Sequence, residues 1–175
     1  MTQISDLFAI VPAGGAGTRL WPLSRRSRPK FLLDVLGTGR TLLQGTIDRL
    51  EPLIGADRVM VVTGAAHRDA VAGQLPQVSE ANLVAEPSPR DSMAAIGLAA
   101  AILENRHGPV LVASFAADHV VPEIAGFHEA LRQAVVAARA GYVTTIGITP
   151  THPSTAFGYI RKGAALGADA GGPAA

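Results

Sequence analysis

Between Leu7 and Leu33 the chain carries five basic residues, Arg19, Arg25, Arg26, Arg28 and Lys30, and no acidic one, a local charge of +5. Gly14, Gly15 and Gly17 open the same stretch. Glycines let backbone N–H groups approach an anion closely while arginine and lysine supply positive charge, so the combination suits a polyphosphate. Neither of the two commonest phosphate loops fits. A Walker loop closes on Gly-Lys-Ser/Thr, whereas Gly17 is followed here by Thr18 and Arg19. The dinucleotide fingerprint asks for a third glycine where Leu20 stands. Taken alone, Arg25, Arg26 and Arg28 also fit a solvated basic cluster of the localisation-signal type.

The elements that must position this loop are legible from hydrophobic patterning. Residues 7–11 form a short apolar run that ends in Pro12 and the glycines, as expected of a buried strand feeding a loop. Residues 58–63 (RVMVVT), 82–86 (NLVAE), 109–113 (PVLVA) and 142–148 (YVTTIGI) are four further runs bounded by turn residues, read as interior parallel strands. Helical spacing occupies residues 42–53, 67–75, 92–105 and 124–140, with Asp91 or Ser92 available as an N-cap for the third. Strands alternating with such helices predict an α/β fold, a Rossmann-like and mostly parallel sheet with helices on both faces. Ligands are then expected at the carboxyl ends of the strands. Glu86 ends one such strand and Asp118 follows another. The loop from Pro12 to Lys30 is long for a compact domain, which points to function more than to connection.

Composition narrows the classes. Of 175 residues, 48% are hydrophobic and 17% charged, enough apolar content for a sizeable core and too much for disorder. The net charge of +1 gives no global field for nucleic acid, and none is expected as a partner. With no cysteine, disulfides, thiolate metal sites and cysteine nucleophiles are excluded, so any metal must be held by oxygen or histidine. The longest apolar run, residues 93–103, falls short of the roughly 18 residues a membrane span needs, and the first residues lack a signal peptide's basic start. No membrane partner and a cytoplasmic location are the expectation.

Residues 14–30, GGAGTRLWPLSRRSRPK, resemble the signature of sugar-1-phosphate nucleotidylyltransferases, G-G-x-G-T-R-L-x-P-x-(S/T)-x-x-x-x-P-K. Three further segments are similar to the mannose-1-phosphate guanylyltransferases within that family. They are EPSPRDS at 86–92, SFAADHVV at 114–121 and TIGITPTHPSTAFGYI at 145–160. The resemblance implies transfer of GMP from GTP to mannose 1-phosphate, with Mg2+ as cofactor and pyrophosphate as the second product. Gly14, Gly15, Gly17 and Thr18 would then bind the nucleotide, Arg19 would hold the departing phosphates, and Lys30 would neutralise the α-phosphate or the incoming sugar phosphate.

Asp118 would be the catalytic carboxylate and magnesium ligand, since Mg2+ takes hard oxygen and often only one or two protein carboxylates beside phosphate oxygens. His119 suits such a site poorly and is read as structural, and His67, His107, His128 and His152 show no ligand spacing. Glu86 would read the base: guanine presents N1–H and an exocyclic amine side by side, and one carboxylate accepts both. Related thymidylyltransferases carry glutamine at this position. Glu86 could instead cap the following helix or pair with Arg90. The family places Gly158, with Phe157 and Tyr159 beside it, against the sugar. Tyr159 also fits simple packing, and Trp21 is either a cover for the nucleotide or an apolar anchor for its loop.

Residues 6–162 are patterned and residues 163–175 are not, so residues 1–175 read as the N-terminal part of a nucleotidyltransferase catalytic domain. The family's second metal aspartate has no counterpart before Ala175, because Asp169 lies in the unpatterned tail. Two other functions stay open: a non-catalytic GTP-binding fragment, and a same-fold transferase for another base or sugar. A homo-oligomer is compatible with all of them.

Overall fold

The computed structural model describes residues 3–15, 20–88 and 90–165. The chain divides into two compact units, one ending at Pro122 and one beginning at Glu123, and each is described by itself.

In the first unit, β1 (Leu7–Ala13), β2 (Val59–Gly64), β3 (Leu83–Glu86) and β4 (Leu111–Ser114) form one sheet in the order β3-β2-β1-β4. Every neighbouring pair is parallel, with Ile10 opposite Met60 and Ser114, and Gly64 opposite Glu86. Helices α1 (Leu42–Ile54), α2 (Arg68–Gln74) and α3 (Asp91–His107) make the crossovers. The path β1 to β2 to β3 moves one way across the sheet, and right-handed crossovers put α1 and α2 on one face. The return past β2 and β1 to β4 puts α3 on the other.

Side-chain alternation serves both layers. Phe8, Ile10, Met60 and Val62 pack with Ala95, Ala99 and Leu103 of α3, while Ala9, Val11, Val59 and Val61 point to the opposite face and are also fully buried. Burial on both faces is why β1 and β2 read as unbroken apolar runs. The expectation of interior position fails for β3 and β4, which among the described residues are the sheet's two edges and keep half-exposed positions.

Helix α1 begins on a capping box, Thr41 Oγ1 accepting from the Gln44 amide and Gln44 Oε1 from the Thr41 amide. It ends at Gly55, whose φ of +83° requires a residue without Cβ. The expected cap on α3 does not form. Asp91 is already its first residue, with φ of +63°, and Arg90 stands at the N-cap without a side-chain bond.

The second unit holds α4 (Ile124–Arg139), whose buried His128, Leu131 and Val135 share one face. The helix closes through Gly141, at φ +90°, with the Tyr142 amide returning to the Ala137 carbonyl. The strand expected at residues 142–148 is not formed: the segment is irregular and exposed, Val143 completely. Its β-branched residues fit a pleated ladder, but a ladder needs a neighbour, and among the described residues the sheet stops at β4. Among the described residues no helix is long and apolar enough to cross a membrane.

Candidate functional site

The sheet order reverses between β1 and β4, the topological switch point, and open α/β sheets bind ligands beyond the carboxyl ends of the strands at such a point. Pro12 sharpens it. Ile10 accepts from the Phe115 amide on the β4 side, and residues two apart along a strand direct their polar groups to the same side, so the bond Pro12 cannot donate would also point there. Since β4 pairs only as far as Ser114 with Ile10, the proline interrupts no ladder. On the other side Thr63 Oγ1 donates to the Ala13 carbonyl at 2.7 Å, pinning the last residue of β1 where the glycines begin.

Gly14 and Gly15 follow at once, exposed, and a Cβ on either would meet nothing within 4 Å among the described residues. Gly15 has φ +86°, the left-handed region that a side chain disfavours. Gly17, Thr18 and Arg19 lie outside the described residues. The loop then forms two turns, the Leu23 and Ser24 amides bonding back to the Leu20 carbonyl and Arg25 and Arg28 exchanging both backbone bonds. Arg25, Arg26 and Arg28 are exposed, and so is Trp21 at 72%, which is therefore no buried anchor for its loop. Burial of Ser24, Pro29, Phe31 and Leu32 ties the segment down instead.

Lys30 opens a single 3-10 turn, Lys30–Leu32, and Phe31 and Leu32 turn inward to fix it. Its Nζ lies 3.2 Å from Asp118 Oδ2, both side chains about one-third to two-fifths exposed. Asp118 stands four residues past β4, so the pair straddles the switch point. An ammonium and a carboxylate side by side, open to solvent, can meet a phosphate and a phosphate-bound cation respectively.

Glu86 occupies the last position of β3, three inter-strand spacings of about 4.8 Å from β4 along the same edge. The side chain is half-buried. It neither caps α3 nor pairs with Arg90, and among the described residues no hydrogen bond or ion pair engages it. A carboxylate left in that state at a strand end remains available to a ligand's donors.

His119 contributes its carbonyl rather than its ring, accepting from Arg49 Nη1 at 3.5 Å. Among the described residues no group of three or more histidine, aspartate or glutamate side chains could hold a metal. Gly158 belongs to the second unit. There the Ser154 amide donates to Tyr159 Oη at 2.7 Å, and that hydroxyl donates to the Ser154 carbonyl, closing a turn around Phe157 and Gly158. Tyr159 thus shapes the turn.

Sequence reading missed the supports beneath the pair. Thr41 Oγ1 donates to Gln74 Oε1 at 2.6 Å, and Gln74 Nε2 donates to the Leu32 carbonyl at 3.4 Å, bracing the Lys30 turn. Thr46 and Arg49, one turn apart on the buried side of α1, reach the Ala116 and His119 carbonyls around Asp118. Burial pushes the Arg49 pKa down. The available signal was polar residues interrupting the apolar stripe of α1.

A family model described as Nucleotidyl transferase matches residues 8–170. Over 164 residues the chain is 42% identical to a mannose-1-phosphate guanylyltransferase of Escherichia coli strain K12, a match covering 91% of this chain and 34% of that protein. It is 40% identical over 169 residues to the xanthan biosynthesis protein XanB of Xanthomonas campestris pv. campestris strain B100, covering 95% and 36% respectively. A crystal structure described as a mannose-1-phosphate geranyltransferase from Thermus thermophilus is similar with a TM-score of 0.76 at 37% identity, covering 86% of this chain and 43% of that one. The chain spans about a third of the length of the curated relatives it matches.

Proposed function

Because the chain belongs to the nucleotidyl transferase family, we propose that it carries the nucleotide-binding and phosphate-handling part of a mannose-1-phosphate guanylyltransferase. In that reaction a phosphate oxygen of α-D-mannose 1-phosphate attacks the α-phosphorus of GTP. The bond from that phosphorus to the β-phosphate oxygen breaks, and pyrophosphate leaves with the electron pair. No covalent bond to the protein is needed, so the protein's work is positioning and charge stabilisation.

The observation that carries this reading is the Lys30–Asp118 pair at the switch point of the sheet. Lys30 is a compact, mobile cation suited to the α-phosphate and the incoming sugar phosphate. Gly14 and Gly15 are exposed and leave room for backbone contact with the nucleotide, and the motif they open assigns Gly17 and Thr18 to the nucleotide and Arg19 to its β- and γ-phosphates. Glu86, on the same edge, takes the guanine N1–H and amine. The resemblance of residues 145–160 assigns Gly158 to the sugar.

Asp118 suits magnesium: it is a hard, partly exposed oxygen donor, and one carboxylate is enough where phosphate oxygens and waters complete the shell. Such an ion, when bound, neutralises phosphate charge. The reading carries a cytoplasmic setting, where GTP and sugar phosphates would be met.

Incubating the chain with GTP, mannose 1-phosphate and Mg2+ and following GDP-mannose and pyrophosphate tests the proposal. Because the chain spans about a third of its relatives' length, a narrower reading is GTP binding without transfer. A melting midpoint raised by GTP but not by dTTP, UTP or ATP, with no product formed, would favour that narrower reading. A preference for another nucleotide would sink both.

A further inference from the structure

One helix touches the supports of both partners in the Lys30–Asp118 pair. At its first turn, α1 reaches the Lys30 turn through Gln74: Thr41 Oγ1 donates to Gln74 Oε1, Gln44 Nε2 donates to the Gln74 carbonyl at 3.1 Å, and Gln74 Nε2 continues to the Leu32 carbonyl. One turn on, the same helix reaches the Asp118 segment. Thr46 Oγ1 donates to the Ala116 carbonyl at 3.4 Å, and Arg49 Nη1 donates to the His119 carbonyl at 3.5 Å. Arg49 Nη2 donates to Thr46 Oγ1 at 3.3 Å, so the two side chains act as one unit. The carbonyls they hold lie two residues before Asp118 and one after it.

Each of these bonds is long. The guanidinium charge and the exclusion of water strengthen them, since Arg49 is only 6% exposed. A buried guanidinium is a costly way to pack a helix, and an apolar side chain of similar length would serve packing alone as well or better. Its geometric work is to span from α1 to the backbone beside Asp118.

We propose that Arg49 is a positioning residue: acting through the 116–119 backbone, it sets where the Asp118 carboxylate stands relative to Lys30, and so how tightly the site holds a nucleotide-bound divalent cation. Thr46 is its second contact point. The inference rests on the reading of Asp118 as the metal-holding carboxylate.

The test measures Mn2+ binding to the full chain as the Mn2+–GTP complex, from the enhancement of water-proton relaxation over that of Mn2+–GTP free in solution, alongside the melting midpoint. Arg49→Met is expected to weaken Mn2+ binding about tenfold, the low end for groups that orient a metal-holding side chain. Arg49→Lys, which replaces the two-nitrogen fork by a single ammonium, is expected to fall between wild type and Arg49→Met, with Thr46→Val close to it. In an Asp118→Asn background, Arg49→Met should have little further effect, because the two changes disable one route. Equal losses in both backgrounds would mean a merely structural role and overturn the inference. So would wild-type Mn2+ affinity in Arg49→Met, or, where that variant does not melt cooperatively, in both Arg49→Lys and Thr46→Val. If the unaltered chain takes up no Mn2+ with GTP, the metal-holding reading of Asp118 fails, and this inference fails with it.

Discussion

Lys30 Nζ and Asp118 Oδ2 stand 3.2 Å apart although 88 residues of chain separate them. They meet because β1 and β4 are parallel neighbours, so that the segments following both strands emerge at one edge of the sheet. The pair is partly exposed, and an ion pair of that kind contributes at most about 1 kcal/mol to stability. Its placement at the switch point, rather than its energy, is what it offers the site.

Lys30→Ala should therefore separate folding from function. The expected loss in kcat is about a hundredfold or more, the scale for removing one preorganised charge from a phosphoryl-transfer site. The melting midpoint should move by only a few degrees. Turnover measured beside a thermal melt checks both, and a large drop in midpoint with unchanged turnover per folded molecule would reverse the assignment.

Gly15→Ala isolates a backbone requirement. Among the described residues a Cβ there meets nothing within 4 Å, so no clash with them is expected, but the residue sits at φ +86°. The left-handed region costs an L residue about 1–2 kcal/mol. The chain should melt slightly lower while GTP affinity falls further, because the methyl group occupies space the nucleotide would take. Titration of the variant with GTP decides it, and unaltered affinity would remove Gly15 from the site.

For Glu86→Gln the expected change is in base choice. The amide keeps one acceptor but presents a donor where guanine also donates, leaving a polar group unpaired at a cost of about 1–3 kcal/mol. Stabilisation by GTP should shrink, and the discrimination of GTP over dTTP and UTP should narrow. A nucleotide panel run against the melting midpoint measures this. If the GTP shift is undiminished, the base is read by other residues.

Much of this architecture could be read from the chain because β1 and β2 are buried on both faces and therefore write continuous apolar runs, while the glycines and Lys30 follow β1 directly. Asp118 was legible as the carboxylate just beyond the apolar run of β4, although that strand is an edge and only half-buried. Residues 142–148 misled because YVTTIGI records a preference for pleated backbone, and the pairing that turns preference into strand depends on a neighbour the local pattern cannot reveal. Arg49 and Thr46 escaped because their targets are backbone carbonyls 70 residues away, contacts that leave no mark on residue type at the receiving end. Asp91 looked like a cap by composition, yet capping needs extended backbone at that residue, and the chain turns one residue earlier.

The link between the Lys30 turn and α1 carries a pH signature. Asp34 accepts from the Gly39 amide at 2.7 Å and the Thr38 amide at 3.0 Å, and these two bonds, the Gly39 one foremost, hold its carboxyl below the ordinary aspartate value. A depressed folded-state pKa means the folded chain binds the proton less readily than the unfolded chain does. The stabilisation is then fully present above the unfolded value of about 3.9 and is lost as pH falls through the lower folded value. Asp34→Asn, which carries no charge at any pH, should melt below wild type at pH 7, and the difference should close as pH falls below about 4. Melting midpoints of both proteins from pH 7 to pH 3 give the answer. A difference that stays constant across that range would mean the turn is held by its glycines alone, with the carboxylate a bystander.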